Sequence, residues 1–419
     1  NRCGRESGLK QNGWWSPAGL VLFLTWLFFG MYYMNRFNFS PMIPLLKADL
    51  NLSNAQAGSL MALFFITYTI FQLPSGYLAD RFGPRKIITV GALISIIGNL
   101  IFSQGSTFLV LSLGQCVNGL GQAMGWTSAL KLIVSWFPRS RRATAIGLFA
   151  TCVTGGSSVG IRLSGYLGDH FGWQSAFMVP PAMMAAVLLF FWMFVRDNPG
   201  EKGLAGFEDE AELEKMIDND PRPGLMVVLT NRRLWTIAAV YFCFVYVQFG
   251  CLVWIPAFLQ ESYAMTVDRA STIAALVLLP GVFASPVAGF LSDQYFGGRR
   301  KPLLLLGMAV LTASTFLLSL GVNIALATGL LAVVGLMIIM PDILLAAFPS
   351  DILSRKLAAT GMGFLTTFTS TAGVITTPLS GKIVDVFQSY GAVFLSFAVA
   401  ALAGTIFTLF IREKRIHPN

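Results

Sequence analysis

The chain has 419 residues, of which 55% are hydrophobic and only 12% charged, with a formal net charge of +9. Soluble domains carry roughly twice that charged fraction, about 25%, and a folded surface stays too large relative to its volume to hide so much apolar side chain. Soluble, nucleic-acid-binding, disulfide-scaffold and disordered classes are therefore excluded, and an all-α integral membrane protein is predicted.

A helix needs about 20 apolar residues to cross a hydrocarbon core of about 30 Å. Twelve such segments follow in chain order: 18–46, 56–79, 87–104, 107–136, 143–168, 174–195, 234–260, 270–292, 302–322, 324–348, 357–384 and 388–411. Gly, Pro, Asn and charged residues fill most of the breaks between them. The first run is too long for the apolar core of a cleavable signal peptide. Only the connection 196–233 is long, and its acidic stretch from Glu208 to Lys215 reads as a solvated amphipathic segment. The predicted organisation is an N-terminal six-helix bundle (1–195), a cytoplasmic linker (196–233) and a C-terminal six-helix bundle (234–419).

Orientation follows from the basic residues, which are retained on the cytoplasmic side of a membrane. With the N-terminus inside, 23 of the 29 Lys and Arg residues fall in inside segments. Lys47, Arg269 and Lys382 fall outside, and Arg36, Lys131 and Arg162 fall within spans. Both termini are predicted to be cytoplasmic, in a multi-pass protein of the cell (inner) membrane. Basic loops lying against anionic lipid headgroups account for the +9 balance, so no nucleic acid or other acidic partner is needed. The five cysteines form no C-x-x-C pair, and with two histidines no metal cluster is assembled. No cofactor is implied. There is no Walker-type phosphate loop, so ATP is not the energy source.

The halves repeat each other. Gly76-Tyr77-Leu78-Ala79-Asp80-Arg81-Phe82-Gly83-Pro84-Arg85-Lys86 follows span two, and a related stretch from Gly289 through Asp293 to Lys301 follows span eight. Asp80 and Asp293 lie 213 residues apart, and the Pro138 and Pro349 that follow spans four and ten lie 211 apart. Duplicated six-span halves are a transporter architecture, with the substrate site between them near the bilayer midplane.

These loops and the 6+6 topology resemble the major facilitator superfamily over the whole chain. The resemblance implies that Asp80, Arg81, Arg85 and Asp293 brace cytoplasmic helix ends and help to set the inward/outward equilibrium. Physically, a carboxylate such as Asp80 at a span end is placed to pair with a cation or to cap a neighbouring helix. Two shorter strings, Tyr33-Met34-Asn35-Arg36-Phe37-Asn38-Phe39-Ser40 and Asp197-Asn198-Pro199-Gly200-Glu201-Lys202-Gly203-Leu204, are similar to those of the organophosphate:phosphate antiporters and the anion:cation symporters.

A charge deep in a span costs about 2.5–3.5 kcal/mol on insertion scales, so each one is a functional candidate. Arg36 lies well inside span one, and its guanidinium binds a carboxylate or phosphate through two parallel hydrogen bonds. Tyr33 shares its helix face at i−3. The resemblance implies that Arg36 holds the substrate anion and that Tyr68 is a site tyrosine. The chain departs from the antiporters where they carry further cations: Gln248, Gln72 and Phe37 stand in those places. A phosphate ester carries close to two negative charges at neutral pH, and one Arg among amides suits a monoanion better. The symporters' proton-carrying carboxylates correspond to Asn35 and Gln122, so coupling through those two positions is not expected.

Lys131 and Asp342 are equivalents at the repeat offset of 211. They are expected either to pair across the halves as a gate when the cytoplasmic side closes, or to leave Asp342 as a protonation site for coupling. Arg162 reads as a snorkelling residue near the outer end of span five, with an outer-gate role as the alternative. Span eleven presents a hydroxyl-rich surface from which Ser370 is a candidate cargo contact, and Trp126 and Trp254 are candidate cavity walls. The predicted function is secondary transport of a small organic anion, a carboxylate, by alternating access. A coupling proton, sodium ion or counter-anion supplies the energy, and the chain is read as a monomer. The alternatives are an organophosphate/phosphate antiporter in which Arg162 or Lys131 replaces the missing cations, an efflux carrier for lipophilic compounds, and a transport-derived sensor. Enzymatic chemistry is not expected, because no nucleophile–base pair is present.

Overall fold

Span one begins at a cap: the Ser16 hydroxyl accepts the Gly19 N–H, and Pro17 sits in the first turn, where its missing N–H costs nothing. In the computed structural model, which describes residues 16–203, 224–281, 299–353 and 355–411, this helix runs Pro17–Phe37 and then stops. A 3-10 segment, Ser40–Met42, leads into a second helix, Ile43–Leu50. The expectation of one continuous helix over 18–46 is thus corrected. Pro41 and Pro44 cannot donate to the helical ladder, and the chain turns there.

Spans four and ten are divided in the same way. Span four consists of Phe108–Ala123 and Trp126–Trp136, parted at Met124-Gly125. Span ten consists of Ile324–Met337 and Met340–Ile352, with Pro341 in the first turn of the second piece. The remaining spans are Asn54–Phe82 (two), Pro84–Ser103 (three), Arg139–Phe171 (five), Val179–Phe194 (six), Arg232–Tyr263 (seven), Lys301–Ser319 (nine), Arg355–Phe387 (eleven) and Tyr390–Leu409 (twelve). The described part of span eight is Val267–Leu278. Among the described residues, nine stretches are long and apolar enough to cross a membrane by that criterion alone. Spans four and eleven fall short of it because Gln115, Asn118 and Gln122 dilute the first, and Thr and Ser dilute the second. These polar spans also carry candidate site residues.

Two apolar cores organise the helices. The first, around Phe28, Tyr32, Phe149, Met184 and Phe191, binds spans one, five and six of the N-terminal half. The second is built on Phe244, Trp254, Phe258, Phe394 and Phe397 of the C-terminal half. It continues across the seam into Phe39, Met42, Leu60 and Phe65 of the other half.

That crossing occupies one end of the molecule, the end of Lys47 and Glu261. Spans two and eleven approach there backbone to backbone. A Cβ on Gly58 would lie 2.2 Å from the Thr377 carbonyl oxygen, and one on Gly381 would lie 2.1 Å from that of Asn54. Polar bonds reinforce the closure. Ser40 Oγ donates to the carbonyls of Leu252 and Val253 at 2.8 and 2.7 Å, and Lys47 Nζ meets Glu261 Oε1 at 2.8 Å. Arg162 Nη1 meets Asp268 Oδ1 at 2.5 Å, so its expected snorkelling gives way to a cross-half ion pair. Asp385 at the end of span eleven accepts the Asn54 and Ala55 N–H groups at 3.0 and 2.8 Å and Asn54 Nδ2 at 2.8 Å. A carboxylate of one half therefore caps the positive pole of a helix in the other.

The opposite, basic end holds the motif stretch 76–86. Gly83 has φ +89°, and a Cβ on it would lie 2.3 Å from Asp197 Oδ2. Asp197 Oδ1 accepts the Arg85 N–H at 2.6 Å, capping span three. The strings around Asp80 and Asp197, far apart in sequence, thus form one joint.

Two outcomes follow. Gly83→Ala is expected to lose about 2 kcal/mol through backbone strain and collision with Asp197, read as a lowered Tm of the detergent-purified protein. Asp385→Ala is expected to loosen the closed end. The measurement is a shift toward longer distances between spin labels at the exposed positions Ala48 and Val386.

Candidate substrate-binding site

Arg36 occupies the last turn of the first helix of span one, where the negative pole of the helix favours a cation. It is 7% exposed, and its Nε donates to Gln122 Oε1 at 2.9 Å. The amide orientation follows from the network behind it. Asn118 Nδ2 donates to the Asn35 carbonyl at 3.2 Å, leaving Asn118 Oδ1 to accept Ser95 Oγ at 2.6 Å and Gln122 Nε2 at 3.1 Å. Gln122 must then turn its oxygen toward Arg36. The break in span four directly after Ala123 ends the helix one residue beyond this glutamine.

Aromatic rings surround the guanidinium. Its carbon lies 4.7 Å from the ring centroids of Tyr33 and Tyr68 and 5.0 Å from that of Phe64, all within cation–π range. Nη1 and Nη2 meet no acceptor or carboxylate among the described residues, and neither is fully enclosed. An arginine so held presents its two-pronged donor edge to an incoming anion.

The other half faces this cluster at a similar depth. Phe65, beside Phe64, packs in a tilted arrangement on Phe249 of span seven, ring centroids 4.5 Å apart, and both rings pack against Gly373 of span eleven. Next to Phe249, Gln248 Nε2 donates at 2.5 Å to the Ile338 carbonyl, which lies at the break in span ten. One turn further, Asp342 Oδ1 accepts the Tyr241 hydroxyl at 2.5 Å. Ser370 is buried in span eleven. Gln72 is half-buried one turn beyond Tyr68.

The structure therefore gathers Arg36, Tyr33, Tyr68 and Gln122 on one side, with Gln248 and Asp342 on the other. Trp254 is elsewhere. It is 2% exposed, its Nε1 donates to the Thr377 carbonyl at 3.2 Å, and its ring packs on Tyr390, all within the closed seam. Trp126 packs against Phe29 and Phe149 at the edge of the N-terminal core. Lys131 and Asp342 do not meet in this conformation: Lys131 Nζ bonds Asp80 Oδ1 at 2.6 Å, within its own half. Arg81 lies over Phe82, and Arg85 lies 3.9 Å over the Trp192 ring while donating to the Trp192 carbonyl. Asp293 lies outside the described residues. Phe64, Asn118, Phe65 and Phe249 were not singled out from the sequence. Spacing held a signal for two of them, since Asn118 is four residues from Gln122 and Phe64 four from Tyr68, one helical turn in each case.

The family model described as Major Facilitator Superfamily matches residues 25–376 and 259–419. The chain belongs to that superfamily. It is a membrane transporter rather than an enzyme. It is 27% identical over 420 residues to a probable hexose phosphate transport protein of Chlamydia pneumoniae, covering 95% of this chain and 91% of that one. It is 24% identical over 402 residues to a probable sulfoacetate transporter of Cupriavidus necator, covering 94% and 93%. A bacterial homologue of the human lysosomal transporter Spinster, solved inward-facing and occupied, shares the fold with a TM-score of 0.79 at 16% identity, over 94% of this chain and 96% of that one.

Replacing Gln122 tests the transporter's amide support. Gln122→Leu leaves Arg36 Nε without its acceptor and is expected to cost about 1–3 kcal/mol of stability. Gln122→Glu is expected instead to hold stability while its carboxylate occupies the guanidinium and lowers anion affinity. Thermal melts with and without added anion separate the two effects.

Proposed function

We propose that this transporter moves a small organic anion bearing one carboxylate or sulfonate group, by alternating access between its halves 1–195 and 234–419. The reading rests on one observation: the buried Arg36 guanidinium, braced at Nε and walled by three aromatic rings, keeps Nη1 and Nη2 free of any carboxylate among the described residues. The charge of the cargo follows from the other intramembrane cations. Lys131 is bound to Asp80 and Arg162 to Asp268, so neither replaces the cations expected of a phosphate-ester site. One available guanidinium among neutral amides favours a monoanion over a doubly charged phosphate.

The positive-inside rule supports assigning the basic end, with Arg81, Arg85 and Lys301, to the cytoplasm, and with it both termini. The closed Lys47–Glu261 end is then the outer gate, and this conformation presents its site inward. The relatives' names, a hexose phosphate carrier and a sulfoacetate carrier, support an organic anion in general terms. The site acts in a monomer and exchanges or co-transports its charge with a counter-anion or ion.

The test is ligand-induced thermal stabilisation of the purified protein by L-lactate, D-glucuronate, sulfoacetate, glucose 6-phosphate and inorganic phosphate. Stabilisation by a monoanion is expected in the wild type and is expected to vanish in Arg36→Gln. Stabilisation by the doubly charged glucose 6-phosphate or sulfoacetate, with none by lactate or glucuronate, would overturn the charge argument. Equal stabilisation of Arg36→Gln and wild type would make Arg36 structural.

A further inference from the structure

Span ten carries a carboxylate that the anion site does not explain. Asp342 is half-buried in the second helix of that span, and its Oδ1 accepts the Tyr241 hydroxyl at 2.5 Å. The Gln248 amide is also within reach of the carboxylate. Across the halves, Asp342 stands within electrostatic reach of Tyr33, whose ring covers Arg36. Among the described residues no cation pairs with it.

The helix Met340–Ile352 packs on spans seven, nine and eleven and on the first half of span ten. Span seven offers Tyr241 and Gln248. Span nine offers Lys301, which donates to the carbonyls of Leu409 and Ile411 at the basic end. The described titratable side chains of span eleven, Lys382 and Asp385, sit at the closed end, and Ile324–Met337 has none. Among the described residues, the charged groups of this region between the halves are therefore Arg36 and Asp342, one from each half and both beside a break in their span.

We propose that Asp342 is the proton-carrying group of this transporter, taking up one proton with each monoanion bound at Arg36; this rests on Arg36 being the anion site. The charge balance gives the mechanism. In the empty site, Arg36 is positive and Asp342 negative, so the cavity is neutral. When an anion occupies Arg36, neutrality returns only if an O–H bond forms on Asp342, using a proton from the water on the open side. Both neutral forms enter a closed, dry state readily. Either half-loaded form carries a net charge, which is disfavoured away from water. Closure therefore selects the fully empty and fully loaded forms, and the O–H bond breaks when the site reopens to the less acidic side. Transport is a 1:1 electroneutral symport. The carboxylate that does this lies on span ten, while Asn35 and Gln122 near Arg36 are amides.

The test uses L-lactate and D-glucuronate, both fully ionised between about pH 5.5 and about pH 8, with affinity read from thermal stabilisation at each pH. Wild-type affinity is expected to rise as pH falls, by at most about tenfold per unit for one linked proton. Asp342→Asn imitates the protonated form, so its affinity at the upper pH should match that of the wild type at the lower one and stay flat. Asp342→Glu should restore the slope. In liposomes, the wild type should accumulate the probe when the outside is made acid and should ignore an imposed membrane potential. A wild type indifferent to pH, an Asp342→Asn that keeps the wild-type slope, or weak binding by both variants at every pH would overturn the proposal. Those results leave the Arg36 reading standing. Undiminished binding by Arg36→Gln removes that reading and the coupling scheme together.

Discussion

Burying a guanidinium in a bilayer costs about 2.5–3.5 kcal/mol on insertion scales, and the surroundings of Arg36 offset that cost without a carboxylate. The negative pole of its own helix, three ring faces and one amide oxygen each supply part of the compensation. None of them cancels the charge. That residual positive charge is why an anion is the occupant proposed, and the amides behind it are arranged as a relay. Ser95, Asn118 and Gln122 each satisfy one another, and only Gln122 Oε1 is left to face Arg36. A half-satisfied relay would be costly in this environment, so the cluster is legible as a unit.

The broken spans follow from the same scarcity of water. A helix that stops inside a membrane leaves carbonyls that must find donors in the protein. At the break in span ten, Gln248 supplies one such donor to Ile338, and the interruption brings Asp342 to Tyr241. At the break in span one, Ser40 donates instead to span seven, which uses the irregular backbone to fasten the two halves together. Interruptions that would weaken an isolated helix become the places where the halves touch each other and where the candidate site residues stand.

The two ends of the molecule use charge differently. At the closed end, Lys47–Glu261, Arg162–Asp268 and the capping of span two by Asp385 all cross between the halves. At the basic end, Lys131–Asp80 and Asp197 on span three stay within one half. Under the proposed alternating access, cross-half bonds would break as the closed end opens, whereas intra-half bonds would hold each bundle together. The joint between Gly83 and Asp197 belongs to the second kind, since no side chain fits where the carboxylate caps the following helix.

The sequence by itself determined the membrane, the repeated halves and the intramembrane arginine on which the proposed anion site is built. Each of these is written in a local quantity: apolar run length, the distribution of Lys and Arg, or a charge where none is expected. Tyr33 and Tyr68 were legible too, the first because helix periodicity places it beside Arg36 and the second through family likeness. Partnership was decided only by tertiary structure. Lys131 bonds Asp80 rather than Asp342, Arg162 meets Asp268 rather than snorkelling, and Trp254 seals a seam rather than lining the site. Long side chains reach several neighbours with similar energy, so their choice depends on which helices the fold brings within a few ångströms. The breaks in spans one, four and ten were likewise hidden, because apolar composition continues through them while the backbone does not.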